Sequence, residues 1–260
     1  MLNYSKYLKT AVFAAKEGGK ILSYYYQSKL TVEFKGKRDP VSQADRNSQK
    51  KIISILKKAY PSHGILAEED GVKDIKEFCW IIDPLDGTVN FVHSLPIFCV
   101  SIGLLYRGEI IAGVIYNPMS KEMFTAYKGG GAYLNGKQIK VGKNTDLMKS
   151  IAVTGFPYDL EIRYKRVMKN FIHILNSVQG VRRLGSAALD TAWVACGRFD
   201  FYWEEGLKPW DAAAGIIIVQ EAGGKISDYK GSARIFETST ILCANPTIHK
   251  KVLGILNEKR

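Results

Sequence analysis

Residues 97–141 carry the pattern that most constrains the fold of this 260-residue chain. Short apolar stretches alternate there with dipeptides and tripeptides that favour tight turns. The stretches that we predict as strands are residues 98–105, 110–116, 122–127 and 132–134. The turn sequences that separate or follow them are Arg107-Gly108, Asn117-Pro118, Gly129-Gly130-Gly131 and Asn135-Gly136. Strands joined by such short turns pair with their neighbours, so this region predicts an antiparallel meander.

The segments on either side of this region predict helices and further strands. In residues 3–27, small and apolar residues recur at helical spacing, which indicates a closely packed helix. Ser42 and Asp45 stand at capping-box spacing and open a second helix that ends before Pro61. The further predictions are a loop at 36–40, strands at 32–35, 64–68, 78–83, 151–155, 199–204 and 240–244, and helices at 160–176, 187–196, 209–221 and from 246 onward. Helices layered on mixed sheets give an α+β fold in a single domain, 1–260, with halves of about 1–145 and 146–260.

The charge of the chain is strongly basic. The formal net charge is +12, with 37 Lys and Arg against 25 Asp and Glu. Such a balance suits an anionic substrate, an acidic protein partner or nucleic acid. Lysines spread over the surface for solubility give the same total, and the pairs Lys50-Lys51 and Lys57-Lys58 fit the outer face of an amphipathic helix. The total charge leaves these alternatives open.

Cysteine and histidine spacing argues against a disulfide framework and against a histidine-based zinc site. The four cysteines lie among apolar residues without CxxC spacing, and the four histidines form no HExxH pattern. We therefore expect small buried thiols in a reducing compartment. Lysines interrupt every apolar run near residue 1, and no stretch reaches the ~20 apolar residues that cross a bilayer. These patterns predict a cytoplasmic protein without a membrane partner.

One segment is the most informative for chemistry and reads Trp80-Ile81-Ile82-Asp83-Pro84-Leu85-Asp86-Gly87-Thr88. We expect an apolar strand to end at Asp83, Pro84 to turn the chain, and Asp86 to return to the same point. Gly87 lets a ligand approach the backbone, and Thr88 is expected to cap a short helix whose free N–H groups suit phosphate. Asp-Pro and Asp-Gly also occur in ordinary turns. A carboxylate directly after a buried strand, however, needs a compensating cation.

Further acids stand where predicted helices and strands begin or end. Glu68 follows a predicted strand, with Glu69 beside it. Asp211 lies at the start of an apolar helix, and Asp45 lies in the first turn of another. Each acid alone fits a helix cap or a solvated turn. Together they form a set of hard oxygen ligands without Cys or His, which predicts a site for Mg²⁺ or Mn²⁺ rather than for zinc.

Five ordered segments resemble the inositol monophosphatase family, and the chain is especially similar to its bacterial members. The segments are residues 39–45 (DPVSQAD), 68–69 (EE), 80–96 (WIIDPLDGTVNFVHSLP), 182–188 (RRLGSAA) and 208–224 (KPWDAAAGIIIVQEAGG). Together they extend over essentially the whole chain. The resemblance implies a layered α/β/α/β/α fold, usually a homodimer, and a phosphatase of inositol monophosphate that lithium inhibits.

The resemblance also implies a set of metal ligands. Glu68, Asp83 and the carbonyl of Leu85 would hold a first magnesium ion. Asp83, Asp86 and Asp211 would hold a second, and Glu68 with waters would hold a weaker third. Two to three Mg²⁺ ions are therefore expected, and Glu68 counts among the catalytic residues.

The remaining implied roles concern water and substrate. Thr88 and Asp45 would orient and activate the attacking water, and the amides of Gly87 and Thr88 would receive the phosphate. The residues implied to bind substrate are Asp86, Gly87, Thr88, Gly185, Ser186, Ala187, Glu204 and Asp211. Glu204 stands at the expected offset from Asp211, but Glu205 is adjacent, so the choice between the two stays open.

The chemistry of these residues agrees with direct attack by water, because no Ser-His-Asp or Cys-His arrangement is visible in the sequence. Metal ions lower the pKa of bound water and neutralise the leaving group. The substrate is expected to be a sugar or cyclitol phosphate. The rivals of inositol phosphate are fructose 1,6-bisphosphate, nucleotide 3′-phosphate and histidinol phosphate. Arg182 and Arg183 suit a second phosphate or, alternatively, a salt bridge at a subunit interface.

An alternative of another class is an added binding function. Some bacterial relatives in the family have a regulatory role with the transcription machinery, and a basic surface favours RNA or an acidic partner. Basic residues clustered on one face would favour this function. No aromatic RNA-binding motif is present in the sequence.

Overall fold

The structure is a computed structural model, and it describes residues 3–28, 32–36, 39–69, 73–233 and 235–258. The helices within these residues are α1 (Tyr4–Tyr25), α2 (Gln43–Ala59), α3 (Thr88–Val92), α4 (Leu160–Leu175), α5 (Ala187–Ala195), α6 (Pro209–Glu221), α7 (Ile235–Thr238) and α8 (Pro246–Leu256). The strands are β1 (Val32–Gly36), β2 (Asp39–Ser42), β3 (Gly64–Ala67), β4 (Lys73–Asp74), β5 (Phe78–Asp86), β6 (Cys99–Tyr106), β7 (Glu109–Asn117), β8 (Glu122–Tyr127), β9 (Ala132–Leu134), β10 (Lys137–Ile139), β11 (Ile151–Thr154), β12 (Gly180–Arg182), β13 (Phe201–Glu205), β14 (Lys225–Ser227) and β15 (Thr240–Ala244).

Two mixed sheets hold most of these strands. The first has the order β10-β9-β8-β7-β6-β5-β3-β4, and every neighbouring pair from β5 to β10 is antiparallel. The predicted meander is therefore confirmed. β3 instead runs parallel to β5. The second sheet has the order β12-β11-β13-β15-β14, with β11 parallel to both of its neighbours and β15 antiparallel to both of its own.

The helices and sheets stack in five layers. α1 and α2 pack on the outer face of the first sheet, and α5 and α6 fill the space between the two sheets. α4 and α8 cover the outer face of the second sheet. This arrangement confirms the predicted α/β/α/β/α fold. Across the described ranges, no helix combines the length and the apolar composition that crossing a membrane requires.

Helix α6 lies in the middle layer, and its sequence explains how. Pro209 occupies the first turn, where its missing N–H costs nothing, and the following residues up to Val219 are almost all buried. Glycines of the first sheet allow the close approach: a Cβ atom on Gly113 would lie 2.5 Å from a side-chain carbon of Ile217. The start of α6, with Asp211, is thereby held against the end of β5.

The longer predicted helices and strands match the structure within one or two residues, but some predictions were wrong. The strand predicted at 78–83 continues to Asp86, and β13 includes Glu205. The loop predicted at 36–40 contributes to β1 and β2, and its residues 37–38 lie outside the described residues. Short elements such as β10, β12 and α7 were missed because three or four residues carry too little periodicity. The division into two halves stays a prediction.

Candidate active site

A cleft of about 230 Å³ lies at the end of β5, between the two sheets. Elements from both halves of the chain line it: the residue after β3, the end of β5, the start of α3, the start of α5, β13 and the start of α6. The sequence-predicted residues found in its wall are Glu68, Asp83, Leu85, Asp86, Gly87, Thr88, Gly185, Ser186, Ala187, Glu204 and Asp211. Asp45 is buried behind this wall and reaches it through Thr88.

An irregularity in strand pairing brings Asp83 and Asp86 to the same cleft. Asp83 pairs with Ser101 of β6, and the next regular pair is Asp86 with Cys99. Over this interval β5 therefore contains one residue more than β6. Such a bulge bends a strand and re-aims its side chains. The chain therefore does not turn away at Pro84, as the sequence predicted, and Leu85 between the two acids is buried in the core.

Asp86 is tied to the start of α5. Its Oδ2 atom accepts hydrogen bonds from Ser186 Oγ at 2.5 Å and from Ala188 N at 2.8 Å. Burial raises the pKa of Asp86 to about 6, although these two donors act in the opposite direction. Ser186 is predicted to bind the substrate, but its hydroxyl donates a hydrogen bond to Asp86, which the sequence predicts as a metal ligand.

Asp211 serves its own helix as well as the cleft. Its Oδ2 atom accepts a hydrogen bond from Lys208 N at 2.6 Å, which is the return contact of a capping box. The two interpretations of this acid, helix cap and ligand, therefore do not exclude each other. The remaining oxygen is available to the cleft that Asp211 lines.

The acids of the cleft lie close enough together to raise the pKa values of Asp83 and Asp211. Burial raises the pKa of Asp83 well above its usual range, and the negative charges of Glu68, Asp86 and Asp211 raise it further. The pKa of Asp211 is raised by burial and, among other acids, by Asp86 and Glu68. Crowded carboxylates of this kind are stabilised by a cation.

The chemistry of this set fits a hard divalent cation, since its ligands would be oxygen atoms. The side chains are not pre-arranged for one. Within the part of the chain that the structure describes, no three His, Cys, Asp or Glu residues form a ready ligand set. Some oxygens are instead engaged by the protein, as when Leu85 N donates to Asp83 Oδ1 at 3.0 Å. An ion would have to draw the carboxylates together.

Asp45 and Thr88 form a second feature of the site. Asp45 Oδ2 accepts from Ser42 N and Ser42 Oγ, so the predicted capping box is present. Its Oδ1 atom lies 3.2 Å from the hydroxyl of Thr88, which is also 3.0 Å from the carbonyl of Leu85. Burial raises the pKa of Asp45 to about 6. This carboxyl is poised to hold or take a proton through Thr88.

The short helix α3 begins differently from the prediction. Gly87, not Thr88, is its N-cap residue, and Thr88 is the first helical residue. Gly87 has φ 94°, and a Cβ atom there would lie 2.8 Å from the carbonyl oxygen of Ile97. Only glycine fits both constraints, so the motif needs this residue for its backbone.

The structure separates Glu204 from Glu205. Glu204 lines the cleft, and its Oε2 atom accepts a hydrogen bond from Tyr202 at 2.6 Å. Glu205 points to the other face of β13, where it pairs with Arg166. Burial raises the pKa of Glu204 to about 7. Glu204 is thus the acid that a substrate in the cleft would meet.

Several residues of the site were missed or left open by the sequence. Gly155 follows β11, and a Cβ atom there would lie 2.1 Å from a carboxylate oxygen of Glu204. Tyr202 lies two residues before Glu204, a spacing that places both on one face of a strand and could have indicated it. Both arginines are exposed, but only Arg183 lines the cleft, whereas Arg182 donates to the carbonyl of Val181.

Comparisons with known proteins identify the family of this chain. The model of the inositol monophosphatase family matches residues 3–260. An inositol-1-monophosphatase of Synechocystis sp. is 46% identical over 244 residues, which cover 93% of this chain and 84% of the relative. The Nus factor SuhB of Escherichia coli (strain K12) is 40% identical over 257 residues, covering 97% of this chain and 96% of the relative.

A solved structure gives the same result at the level of the fold. The extragenic suppressor protein suhB from Bartonella henselae matches with a TM-score of 0.94 and 40% identity, over 98% of this chain and 100% of that one. The chain is therefore a phosphatase that belongs to the inositol monophosphatase family.

Proposed function

We propose that this protein hydrolyses myo-inositol 1-phosphate by attack of a metal-activated water, with Mg²⁺ as the metal. The observation that carries the proposal is the buried group of Asp83, Asp86 and Asp211, whose pKa values are raised by burial and by neighbouring acids. Negative charge of this density at the floor of a cleft needs divalent cations. The name of the Synechocystis relative supports the substrate.

The proposed ligands are side chains of this cleft and one carbonyl: Glu68, Asp83, Leu85 (carbonyl), Asp86 and Asp211. Two to three ions are proposed, with Mn²⁺ as a substitute. The bound metal supplies a water of lowered pKa and neutralises charge on the phosphate and the leaving oxygen. The chain itself supplies the oxygens, and core packing of β5 and α6 holds in place the backbone segments that carry them, while the side chains adjust to the ion.

Asp45 and Thr88 are proposed to orient the attacking water. The hydroxyl of Thr88 lies at the cleft wall and contacts Asp45 Oδ1 behind it. A proton lost by the water can pass to this pair, because a carboxyl of pKa about 6 is mostly ionised at neutral pH and accepts it. The backbone N–H groups of Gly87 and Thr88 are proposed to receive the phosphate.

The opposite wall is proposed to bind the ring of the substrate. Residues 185–187 line this wall at the start of α5, and Glu204 lines it from β13. A carboxylate accepts hydrogen bonds from hydroxyl groups, which suits a cyclitol better than an apolar leaving group. Arg183 lies in the same wall and would suit a second phosphate, which keeps fructose 1,6-bisphosphate as the rival substrate.

The test is a phosphate-release panel with and without Mg²⁺. The substrates are myo-inositol 1-phosphate, fructose 1,6-bisphosphate, a nucleoside 3′-phosphate and histidinol phosphate. We expect the highest kcat/KM on the inositol ester, loss of turnover with a chelator, recovery with Mg²⁺ or Mn²⁺, and inhibition by lithium. Turnover that persists without divalent metal would refute the metal role, and a higher kcat/KM on another ester would replace the proposed substrate.

A second candidate function is binding of single-stranded RNA, and one observation favours it. The outward face of α1 carries exposed residues at spacings of three and four, namely Lys6, Lys9, Phe13, Lys16, Lys20 and Tyr24. Phe13 is 55% exposed and Tyr24 is 80% exposed. Lys50, Lys51 and Lys58 of α2 are exposed alongside this row.

We call these residues of α1 and α2 the lysine face. The face carries seven lysines, and the neighbouring acid Glu17 pairs with only one of them, Lys20, so the charge of the face stays strongly positive. Lysines attract the phosphate backbone, and exposed aromatic rings stack on bases. The Escherichia coli relative is named Nus factor SuhB, and this name supports an association with the transcription machinery.

Fluorescence anisotropy with a labelled single-stranded RNA tests this second function. We expect binding that weakens about 10-fold or more between 50 and 200 mM salt, as several phosphate contacts require. Lys9→Glu combined with Lys51→Glu should abolish it, whereas Asp83→Asn should leave it unchanged. RNA binding that is unchanged in the double lysine variant would refute the assignment.

The homodimer and the cytoplasmic location stay predictions. Light scattering tests the homodimer, and cell fractionation tests the location.

A further inference from the structure

Tyr202 and Glu204 lie on the same face of β13, because residues two apart in a strand point the same way. The phenol of Tyr202 donates a hydrogen bond of 2.6 Å to Glu204 Oε2. Tyr202 is 0% exposed, so this phenol cannot turn to water. Burial and nearby acids raise the pKa of Tyr202 well above its usual range, which keeps the phenol protonated and able to donate.

The two oxygens of Glu204 are therefore not equivalent. Oε2 is occupied by Tyr202, whereas no donor in the described ranges bonds Oε1. The carboxylate also lies on the backbone of Gly155, close enough that a Cβ atom there would collide with it. Two contacts thus fix a side chain that has three rotatable bonds and lies at the wall of an open cleft.

The charges around Glu204 would otherwise displace it. Asp86 lies near enough to raise the pKa of Glu204 by repulsion, and Arg183 lies near enough to lower it by attraction. Without the phenol, these forces would draw the carboxylate toward Arg183 and away from the metal ligands. A short hydrogen bond to a charged acceptor is strong enough to oppose them.

We infer that Tyr202 is a positioning residue that sets specificity for polyol phosphates, by holding Glu204 so that Oε1 accepts a hydrogen bond from a ring hydroxyl of the substrate. This inference rests on the proposed function, in which Glu204 contacts the ring. It predicts that an ester without ring hydroxyls gains nothing from Tyr202. The residue acts only through Glu204 and touches neither metal nor phosphate.

The experiment compares Tyr202→Phe with the wild type on myo-inositol 1-phosphate and on phenyl phosphate. Phenylalanine keeps the ring and removes only the donor. We expect KM for the inositol ester to rise about 5- to 20-fold with kcat within about twofold, the scale of one hydrogen bond to a charged group. Both constants for phenyl phosphate should stay within about twofold.

Two further variants separate positioning from general damage. Tyr229→Phe changes a second buried phenol, which lies near Glu205, and should leave all constants unchanged. In a Glu204→Gln background, Tyr202→Phe should add less than about twofold, because the two residues act as one unit. Equal losses on both esters, additive effects in the double variant, or an unchanged KM for the inositol ester would each overturn the inference.

Failure of the proposed function would look different. A wild type that cleaves neither ester with Mg²⁺ would remove the phosphatase assignment itself. A wild type that cleaves phenyl phosphate but does not discriminate in favour of the inositol ester would remove the substrate and leave the metal chemistry intact. Neither pattern resembles a selective loss that appears only when the phenol is removed.

Discussion

Glu204 and Glu205 are adjacent on β13 and lie on opposite faces of the sheet. Glu204 lines the cleft, whereas the Glu205 carboxylate accepts two hydrogen bonds from Arg166, at 2.8 Å from Nε and 3.1 Å from Nη2. The side chain of Glu205 is 2% exposed and that of Arg166 is 59% exposed. The alternation of a strand therefore gives two identical residues different tasks.

The first prediction uses this pair as its own control. Glu204→Gln should raise KM for myo-inositol 1-phosphate about 10-fold without lowering the melting temperature, because burial already disfavours the ionised form of Glu204. Glu205→Gln should leave KM unchanged and destabilise the fold by about 1–2 kcal/mol, because it weakens a nearly buried hydrogen-bonded acid. Steady-state kinetics and thermal unfolding of both variants check the prediction. The reverse assignment of effects would contradict it.

The second prediction concerns the close approach of Gly155 to Glu204. A Cβ atom at residue 155 would lie 2.1 Å from a carboxylate oxygen, and the flexible end of Glu204 would move away. Gly155→Ala should therefore raise KM for the inositol ester about 5- to 10-fold, the scale of one weakened hydrogen bond. Gly254→Ala in α8 meets nothing within 4 Å and serves as the control. Unchanged KM in Gly155→Ala would refute the contact.

The third prediction tests the acids of the cleft. Asp83→Asn or Asp211→Asn should lower activity at saturating Mg²⁺ by at least about 100-fold, the scale of losing a catalytic electrostatic group. Asp74→Asn removes an acid that instead pairs with Lys57 and Lys76 outside the cleft, and it should keep full activity. Phosphate release by the three variants and the wild type, measured under the same conditions, checks this prediction. Near-wild-type turnover in either cleft variant would end the metal assignment.

The fourth prediction follows from the raised pKa values of the metal-free protein. Asp45 and Asp86 have a pKa of about 6 and Glu204 of about 7 when folded, against about 4 for unfolded carboxyls. The folded state therefore binds more protons between about pH 4 and pH 7, so the free energy of unfolding falls as the pH rises through this window. Thermal unfolding with a chelator should show a lower melting temperature at pH 8 than at pH 5.5.

The same reasoning predicts how Mg²⁺ and the substitution Asp83→Asn change the stability of the folded protein. Mg²⁺ should raise the melting temperature by several degrees at pH 8 and by less at pH 5.5, where some of the acids are already protonated. Asp83→Asn should stabilise the metal-free protein by about 1–2 kcal/mol at pH 8, the usual scale of relieving a strained functional site. A Mg²⁺ effect that is equal at both pH values would contradict a carboxylate origin.

The fifth prediction isolates the hydroxyl of Thr88. Thr88→Val removes the group that contacts Asp45 and should lower kcat about 100-fold or more, as loss of general-base assistance does. Thr88→Ser keeps the hydroxyl and should retain most of the activity. Both substitutions leave Gly87, the N-cap of α3, unchanged, and both variants should unfold near the wild-type temperature. Equal activity in the two variants would remove the hydroxyl from the mechanism.

The sequence alone determined the framework of this protein. The turn pattern of residues 97–141 predicted the meander, because a run of short strands and tight turns has few other ways to pair. The spacing of Ser42 and Asp45 predicted the helix start that holds Asp45 in place. Acids at element ends, together with the family resemblance, indicated a metal-dependent phosphatase. These signals are local or depend on residue type, so they can be recognised without the tertiary structure.

Tertiary structure decided how those residues are arranged. The bulge that aligns Asp83 with Asp86 depends on pairing with β6, and the hydroxyl of Ser186 faces Asp86 from 100 residues away. The choice of Glu204 over Glu205 required the register of β13 in its sheet, since a shift of one residue exchanges the two faces. The contact of Tyr202 with Glu204 followed from the same register. Local sequence carries no information on such partners, because the packing of distant segments fixes them.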